Sequence, residues 1–478
     1  MTILAIDQGT TSTKAFLLHP DGRFETVGAR KHRQFYPAEG LVEQDADEIA
    51  GHIDELIDLA LDACPDIAGL AIASQGETVV AWDRSTGRPL APAIVWQDQR
   101  TQSALDRWSG EDRALVRSVA GLPLDAYFSA SKLAWLLAEV PAVAEAAMAG
   151  RLGLATSDAF FLDRLTGVYA TDITTASRTS LMRLATGAWD RALCERFGVP
   201  IDLLPPIRPT AGLFGTLRRN GRTLPVVANA VDQQAALFGH GCRAPGDAKI
   251  TFGTGTFALA LTGPTPVLDS EGLLPTVAWH IEGKSPLYAL DGGDYTAAAA
   301  VDWARSLGLA GSLGDFDLPE GPSALERGIV FVPALAGLAA PHWDRAAAGL
   351  FLGLRQDTTS ADLRRAVLEG VALRAVELIE ALGVTGGGGL SIDGGMTHND
   401  GFVQFLADAL GTPVIRRDSA DLTGLGMAEL GYLGAGLPPP PRATGADRRI
   451  EPSPRSAIIR AARPRFAKAI ALARDWGA

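Results

Sequence analysis

Two short stretches of the sequence combine glycine with hydroxyl side chains in a pattern suited to binding phosphate. The first is LAIDQGTTSTKAFLL (4–18), an apolar strand, a polar turn and a second apolar strand. The second is AKITFGTGTFALALTG (248–263), which repeats the strand, the Gly-Thr turn and the strand. Glycine permits close approach of a ligand, and backbone N–H groups in such a turn can converge on a phosphate oxygen. An ordinary β-hairpin with a polar tip is the alternative for either stretch alone.

The charged residues of the first stretch indicate how a phosphate could be accommodated there. Asp7 would repel a phosphate unless a cation lay between them, so its presence suggests Mg²⁺ held partly through water. Lys14 could offset negative charge on a transferred group. Because the same turn recurs half a chain later, the sequence favours phosphate binding and predicts two related lobes that approach one ligand.

Carboxylates and aromatic residues at predicted strand ends form a second group of candidates. Asp232 follows an apolar strand and begins a helix in ANAVDQQAALFG (228–239), where it could accept a proton from a substrate hydroxyl or simply cap the helix. Glu77 has a similar position, and Trp96 lies beside polar residues in AIVWQDQRT. Rings against C–H faces and carboxylates against hydroxyls suit a polyol or sugar. Each residue could instead belong to a core or a salt bridge.

The elements that must position these residues alternate between strands and helices, which indicates an α/β fold. IAGLAIASQ (67–75) predicts a buried strand that delivers polar residues at its end. Helical spacing predicts helices over 45–64 and 359–383, and two more helices interrupted at Pro141 and Pro464. A chain of 478 residues is too long for one ordinary core. We therefore expect two lobes, 1–240 and 241–478.

The bulk composition excludes several classes of protein. A net charge of −12 argues against a general nucleic-acid binder and against attraction to an anionic membrane. No apolar run is long enough to span a bilayer, and Met1 leads directly into a strand without a secretory signal. The three cysteines, Cys64, Cys194 and Cys242, show neither disulfide nor metal spacing. The expected environment is the cytoplasm, with reduced thiols.

The ordered motifs resemble those of the FGGY carbohydrate kinases, and among them the glycerol kinases. The matching stretches include AIDQGTTSTKAFLL, YPAEGLVEQDADEI, AIVWQDQRT, DAYFSASKLAWLL, TDITTASRTSLM, VDQQAALFGHG, TFGTGTF and DGGMTHND. The resemblance runs from Ile3 to about Gly436 and implies a two-lobed actin/hexokinase-like (ribonuclease H-like) ATPase fold with duplicated lobes. It further implies a kinase that uses MgATP to phosphorylate a terminal hydroxyl of glycerol or a related polyol. A homo-oligomer, dimer or tetramer, is a further expectation from the family.

The resemblance also implies roles for individual residues. Asp232 corresponds to the general base and, together with Asp7, to the Mg²⁺ site. The implied substrate contacts are Gly76, Glu77, Trp96, Tyr127, Asp232, Gln233 and Phe257. The implied ATP contacts are Thr10, Thr11, Ser12 and Lys14 in the first turn, Gly253, Thr254 and Gly255 in the second, and Gly394, Gly395 and Asn399 in DGGMTHND.

Two departures from the family pattern concern the substrate. Gly76 stands where glycerol kinases usually carry an arginine, which makes a longer polyol or a ketose, such as erythritol or xylulose, the alternative substrate. Asp294, in DGGDYTAAAAVDW (291–303), could accept a hydrogen bond from an additional hydroxyl if it faces the pocket, or could be a solvent-facing turn residue. A nucleotide-dependent switch or a phosphatase-like hydrolase of the same fold is the alternative from another functional class.

Overall fold

The computed structural model describes residues 1–268, 270, 272–316, 321–384, 389–419, 421–442 and 447–476. Strands of the first half are β1 (Thr2–Gln8), β2 (Ser12–Leu18), β3 (Phe24–Lys31), β4 (Gln34–Phe35), β5 (Glu43–Gln44), β6 (Ile67–Ser74), β7 (Val79–Asp83), β8 (Arg88–Pro89), β9 (Ala93–Ile94), β10 (Leu152–Thr156), β11 (Thr171–Asp172), β12 (Met182–Arg183), β13 (Ala188–Trp189), β14 (Ile207–Arg208), β15 (Ala211–Arg219) and β16 (Arg222–Val231). Strands of the second half are β17 (Ala248–Phe252), β18 (Thr256–Gly263), β19 (Leu274–Trp279), β20 (Leu287–Asp294), β21 (Val330–Val332), β22 (Leu350–Leu352), β23 (Leu390–Asp393), β24 (Val414–Arg416) and β25 (Arg448–Ile450).

The helices surround the sheets and connect their strands. They are α1 (Ala46–Ala63), α2 (Gln102–Leu105), α3 (Gly110–Ala120), α4 (Ser129–Glu139), α5 (Pro141–Met148), α6 (Ser157–Thr166), α7 (Ile173–Ala176), α8 (Arg191–Phe197), α9 (Asp232–Gly239), α10 (Ala298–Ser306), α11 (Ser360–Ala381), α12 (Asp400–Leu410), α13 (Leu422–Gly434), α14 (Ser456–Ala462) and α15 (Pro464–Trp476). None of the helices described is both long and apolar enough to cross a membrane.

The two large sheets share one topology. The first has the order β15-β16-β6-β1-β2-β3, and the second has the order β19-β20-β18-β17-β23-β24-β25. In each sheet, three neighbouring strands pair antiparallel, β1-β2-β3 and β17-β18-β20. Two later strands then add in parallel beside the first of the three, β6 and β16 in one sheet and β23 and β24 in the other. The expectation of an α/β fold with duplicated lobes is confirmed.

Local signals in the sequence explain where the helices begin and end. The Asp45 side chain accepts hydrogen bonds from the first N–H groups of α1, and Thr359 forms a capping box at the start of α11. Pro141 is the first residue of α5 and Pro464 the first of α15, where a missing N–H costs nothing. The predicted helix interruptions at both prolines are confirmed.

Helix α13 belongs to the second half of the chain and packs on the first. It comes late in the sequence but packs on β1, β2, β6 and β16 of the first sheet and against α9. The approach is close, because a Cβ on Gly426 would lie 1.9 Å from the Ala235 carbonyl oxygen and one on Gly434 would lie 1.7 Å from the Val227 oxygen. A shared apolar cluster, which includes Ile3, therefore spans the junction between the halves.

Candidate active site

The first glycine-hydroxyl turn connects β1 and β2 at one end of the first sheet. It is closed by the Gly9 N–H, which donates to the Ser12 carbonyl over 3.0 Å. Thr11 is exposed at the tip, and Thr10 and Ser12 are half-buried. The hydroxyl residues expected from the sequence therefore lie together on one accessible turn. Their contact with ATP stays a prediction.

The second turn, between β17 and β18, has the same construction. The Gly253 N–H donates to the Gly255 carbonyl over 2.9 Å, and the Thr254 carbonyl accepts from the Ala297 N–H beside the start of α10. A Cβ on Gly255 would lie 2.5 Å from the Asp294 carbonyl oxygen. Glycine is required there because the neighbouring strand leaves no room for a side chain.

The third glycine turn follows β23 and leads into α12. Gly394 has a positive φ of 95°, and a Cβ on it would lie 2.3 Å from the Phe252 carbonyl oxygen. Gly395 begins a short 3₁₀ helix. Asn399 caps α12, since its side-chain oxygen accepts a backbone N–H of that helix over 2.8 Å and its amide donates to the Phe316 carbonyl over 3.0 Å. Both functional groups of Asn399 thus stabilise the protein, and its contact with adenosine stays a prediction.

Asp232 lies where β16 ends and α9 begins, half-buried and close to other carboxylates. Burial raises the pKa of Asp232 to about 7, and the negative charges of Asp7 and Glu77 act in the same direction. A carboxylate with a pKa near neutrality can accept a proton from a hydroxyl more effectively than an ordinary aspartate. The role of Asp232 as a general base stays a prediction, and its raised pKa is compatible with that role.

Asp7 lies near the end of β1, directly opposite Lys14 of β2. Burial raises its pKa to about 6, although the charge of Lys14 opposes the shift. The ammonium group of Lys14 forms an ion pair of 2.8 Å with Asp421, so it already has an anionic partner.

The carboxylates of Asp7 and Asp232 fit a magnesium ion better than a metal held entirely by the protein. The described residues include no group of three or more histidine, cysteine or acidic side chains placed to hold a metal. Mg²⁺ commonly takes one or two protein carboxylates and completes its shell with phosphate oxygens and water. The negative charge of Asp7 makes ionisation of Asp232 less favourable. A cation bound by both carboxylates would stabilise their charged forms.

Three of the residues expected to contact substrate lie close together and would form one wall of the proposed acceptor pocket. The rings of Trp96 and Tyr127 meet edge to face, with centroids 5.5 Å apart. The indole N–H of Trp96 donates to the Thr10 hydroxyl over 3.1 Å, which links this wall to the first turn. Glu77 is buried on the turn between β6 and β7 and has a positive φ of 57°. The Thr78 N–H donates to the Gly76 carbonyl over 2.7 Å and closes a tight turn, which holds Glu77 in this rarely populated conformation.

A buried arginine organises the charges behind this wall. The Arg178 Nε donates to Glu77 Oε1 over 2.6 Å, and its Nη2 lies 3.0 Å from the Asp291 carboxylate. Burial raises the pKa of Glu77, whereas the charge of Arg178 opposes that shift. Burial and the charge of Glu77 also raise the pKa of Tyr127 well above its usual range. The phenol of Tyr127 is therefore protonated and can donate a hydrogen bond.

Gln233 and Phe257 are two further residues expected to contact substrate. Gln233 follows Asp232, and its side-chain oxygen accepts a hydrogen bond from the buried Lys249 ammonium over 2.6 Å. Lys249 also donates to the Thr251 hydroxyl over 3.2 Å. Phe257 is 37% exposed at the start of β18, which is unusual for so large an apolar side chain. It is available to contact the carbon skeleton of a substrate.

Position 76 is a glycine and contributes no side chain to the proposed pocket. An added Cβ on Gly76 would lie 3.2 Å from Val231 Cγ1, closer than most Cβ contacts. Glycine at this position therefore relieves packing against β16, and no hydrogen-bond donor lies beside Glu77 from this turn.

Asp294 does not have the role that the sequence suggested. It is buried, and its carboxylate accepts a 3.0 Å hydrogen bond from Arg374 of α11. Asp291, three residues earlier in β20, faces Arg178 instead, because side chains three apart in a strand lie on opposite faces. Asp294 is thus neither a pocket residue nor a solvent-facing turn residue.

Sequence reasoning missed Arg178, Lys249, Asp291 and Asp421. Lys249 had a recognisable signal, because a lysine inside an apolar strand is rarely buried without a specific partner. Arg178 and Asp421 had none, since their partners are 101 and 407 residues away in the chain.

Comparison with known proteins identifies the family of the chain. The model of the FGGY carbohydrate kinase N-terminal domain matches residues 2–239, and that of the C-terminal domain matches residues 248–435. The chain is 44% identical over 447 residues to a glycerol kinase of Thermus brockianus, covering 91% of this chain and 90% of the relative. It is 40% identical over 491 residues to a glycerol kinase of Aromatoleum aromaticum, covering 99% of both chains.

A solved structure shows the same architecture. The crystal structure of Plasmodium falciparum glycerol kinase with ADP superimposes with a TM-score of 0.90 at 28% identity, over 99% of this chain and 98% of that one. The two-lobed actin/hexokinase-like fold expected from the sequence is confirmed. Two matching domain models and relatives alike over nearly their whole length give one conclusion: the chain belongs to the FGGY family of carbohydrate kinases.

Proposed function

We propose that this kinase transfers the terminal phosphoryl group of MgATP to a terminal hydroxyl of glycerol, with Asp232 as the general base. The observation that carries the proposal is the carboxylate of Asp232, whose pKa is raised to about 7 at the start of α9, near Asp7 and Glu77. The relatives named glycerol kinase and the ADP complex of the Plasmodium enzyme support the choice of both substrates.

The pocket residues would bind and orient the acceptor. The rings of Trp96 and Tyr127 offer apolar surface for C–H groups, and Glu77 offers carboxylate oxygens for hydroxyl donors. Holding the acceptor hydroxyl close to the phosphoryl group turns a bimolecular reaction into an effectively intramolecular one.

Proton removal and charge neutralisation complete the reaction. Asp232 accepts the proton of the attacking hydroxyl, and the proton then resides on its carboxylate. Lys14 and the backbone N–H groups of the two Gly-Thr turns bind the phosphates. Mg²⁺, when bound at Asp7 and Asp232, would neutralise charge on the phosphate oxygens. Positioning and electrostatic stabilisation account for most of the rate enhancement in phosphoryl transfer, so this set of groups is sufficient.

A longer polyol or a ketose is the second candidate acceptor, because Gly76 contributes no donor beside Glu77. We would measure MgATP consumption with glycerol, erythritol, pentitols and four- and five-carbon ketoses. The proposal expects the highest kcat/KM with glycerol and little ATP turnover when no acceptor is present. A longer acceptor with the highest kcat/KM would favour the second candidate, whereas turnover that ignores the acceptor would refute the kinase proposal.

Replacement of the base provides a direct test of its role. Asp232→Asn is nearly isosteric but cannot accept the proton, so we expect kcat with glycerol to fall about 10²- to 10⁴-fold. Circular dichroism should show an unchanged fold. Asp62→Asn, on the exposed face of α1, is the matched control and should retain the wild-type rate. An Asp232→Asn enzyme with a near-normal rate would show that another group accepts the proton.

A further inference from the structure

One nitrogen of the Arg178 guanidinium has no hydrogen-bond partner among the described residues. Its side chain is 3% exposed, with Nε bonded to Glu77 and Nη2 paired with Asp291. The remaining amino group, Nη1, is fully buried and has no hydrogen-bond partner among the residues that the structure describes. A buried N–H group without a partner is costly, and one on a charged group more so. A ligand that accepts from Nη1 would remove this cost.

A second buried arginine shows that the protein can satisfy such a group when the role is structural. Arg374 is 1% exposed on α11, and all three of its nitrogens have acceptors. Nε bonds Asp294, Nη1 bonds Glu377, and Nη2 bonds the Ala340 carbonyl. Of these two buried arginines, only Arg178 keeps an amino group without a partner among the described residues.

The location of Arg178 is the proposed acceptor site, where residues of the two halves of the chain meet. Glu77 comes from the first half and Asp291 from β20 of the second, so Arg178 bridges the sides that a substrate must contact. Its Cζ lies 5.9 Å from the ring centroid of Tyr127, and Glu77 is close enough to Asp232 to raise the pKa of that base. The guanidinium group is thus adjacent to the pocket wall and to the reacting centre.

We propose that Arg178 is a specificity residue whose Nη1 donates a hydrogen bond to a hydroxyl of the acceptor that is not phosphorylated. The inference rests on the proposed function. Glu77 and Asp291 hold the guanidinium in place, so that Nη1 is already oriented before the acceptor binds. An acceptor that lacks this hydroxyl leaves a buried charged donor unpaired and should be used poorly.

The test compares glycerol with two analogues that each lack one hydroxyl. 1,3-Propanediol lacks the central hydroxyl and 1,2-propanediol lacks one terminal hydroxyl, so one of them removes the partner of Nη1. For wild-type protein we expect kcat/KM to be at least about 10-fold lower with that analogue than with glycerol. Equal use of glycerol and both analogues by the wild-type protein would overturn the inference without any variant.

Arg178→Lys then separates substrate contact from structural support. A lysine keeps the charge, but its single ammonium group cannot pair with Glu77, Asp291 and the acceptor at once. We expect kcat/KM for glycerol to fall about 10- to 100-fold, and that for one analogue to change less than about 3-fold. Equal losses for glycerol and both analogues would assign Arg178 a purely structural role and overturn the inference.

Arg374→Lys is the matched control, because it perturbs a buried arginine whose three nitrogens are all bonded, none of them to Glu77, Asp291 or Tyr127. This variant should lower thermal stability and leave the ratio of kcat/KM between glycerol and each analogue unchanged. Altered ratios would show that they depend on stability, and would overturn the inference. If wild-type protein phosphorylates none of these acceptors, the proposed function and this inference both fail. If it phosphorylates glycerol and the ratios survive Arg178→Lys, the inference alone fails.

Discussion

At the level of single residues, the proposed chemistry depends on carboxylates that lie close together. Burial and the charges of Asp7 and Glu77 raise the pKa of Asp232 to about 7. A raised pKa means that Asp232 is protonated, and cannot act as a base, over a pH range in which a free aspartate is ionised. We therefore expect kcat/KM for MgATP, at saturating glycerol, to fall about tenfold for each pH unit below 7, a dependence that reports the enzyme before MgATP binds.

The neighbouring charge offers a way to shift this pH dependence. Glu77→Gln removes a negative charge and should move the acid limb of kcat/KM to lower pH, because ionisation of Asp232 then meets less repulsion. Rates would be followed from pH 5.5 to 8.5 with constant ionic strength. A wild-type profile that stays flat down to pH 5.5 would contradict the assignment of Asp232 as the base.

At the level of secondary-structure elements, the close packing of α13 on α9 determines how the two halves meet. A Cβ on Gly426 of α13 would lie 1.9 Å from the Ala235 carbonyl of α9, whereas a Cβ on Gly51 of α1 would have no neighbour within 4 Å. Both positions are helical, so alanine should improve helix propensity equally, by about 1 kcal/mol. Only at Gly426 must the helices separate to make room.

Opposite stability changes follow for this pair of glycines. We expect Gly426→Ala to lower the thermal midpoint by several degrees and to reduce activity, because the halves that carry the two Gly-Thr turns shift apart. Gly51→Ala should leave the midpoint unchanged or raise it slightly. Thermal unfolding at one scan rate, followed by circular dichroism, compares them. Equal midpoints for the two variants would show that α13 tolerates the added methyl group.

At the level of the whole molecule, the groups proposed for the reaction come from both halves of the chain. Asp7 and Asp232 belong to the first sheet and α9, and Gly253 and Thr254 belong to the turn between β17 and β18. A ligand that contacts both halves should draw them together and exclude water from the transferred group.

Solution scattering can detect this closure. We expect the radius of gyration to decrease when Mg²⁺, a non-hydrolysable ATP analogue and glycerol are all present, and to decrease less with glycerol alone. Small-angle X-ray scattering on the full chain measures the change, and Asp62→Asn should behave as the wild type. An unchanged radius with all three ligands would argue that catalysis proceeds without closure.

The amino-acid sequence determined the features that depend on neighbouring residues. Turns such as Gly253–Gly255 need glycine for steric reasons, and Thr359, Pro141 and Pro464 set helix ends through their own hydrogen bonds or missing N–H groups. These effects act within a few residues, so both Gly-Thr hairpins and the interrupted helices could be predicted. The roles carried over from the family, such as those of Tyr127 and the other pocket residues, stay predictions.

The tertiary structure decided everything that depends on which distant residues meet. Lys14 pairs with Asp421, Asp294 faces Arg374 instead of the pocket, and Arg178 bridges Glu77 and Asp291 across the two halves. Such contacts depend on strand register and helix packing, which no local pattern specifies. An aspartate can therefore be the candidate base at position 232 and a core ion-pair partner at position 294, because the neighbouring charges differ between the two sites.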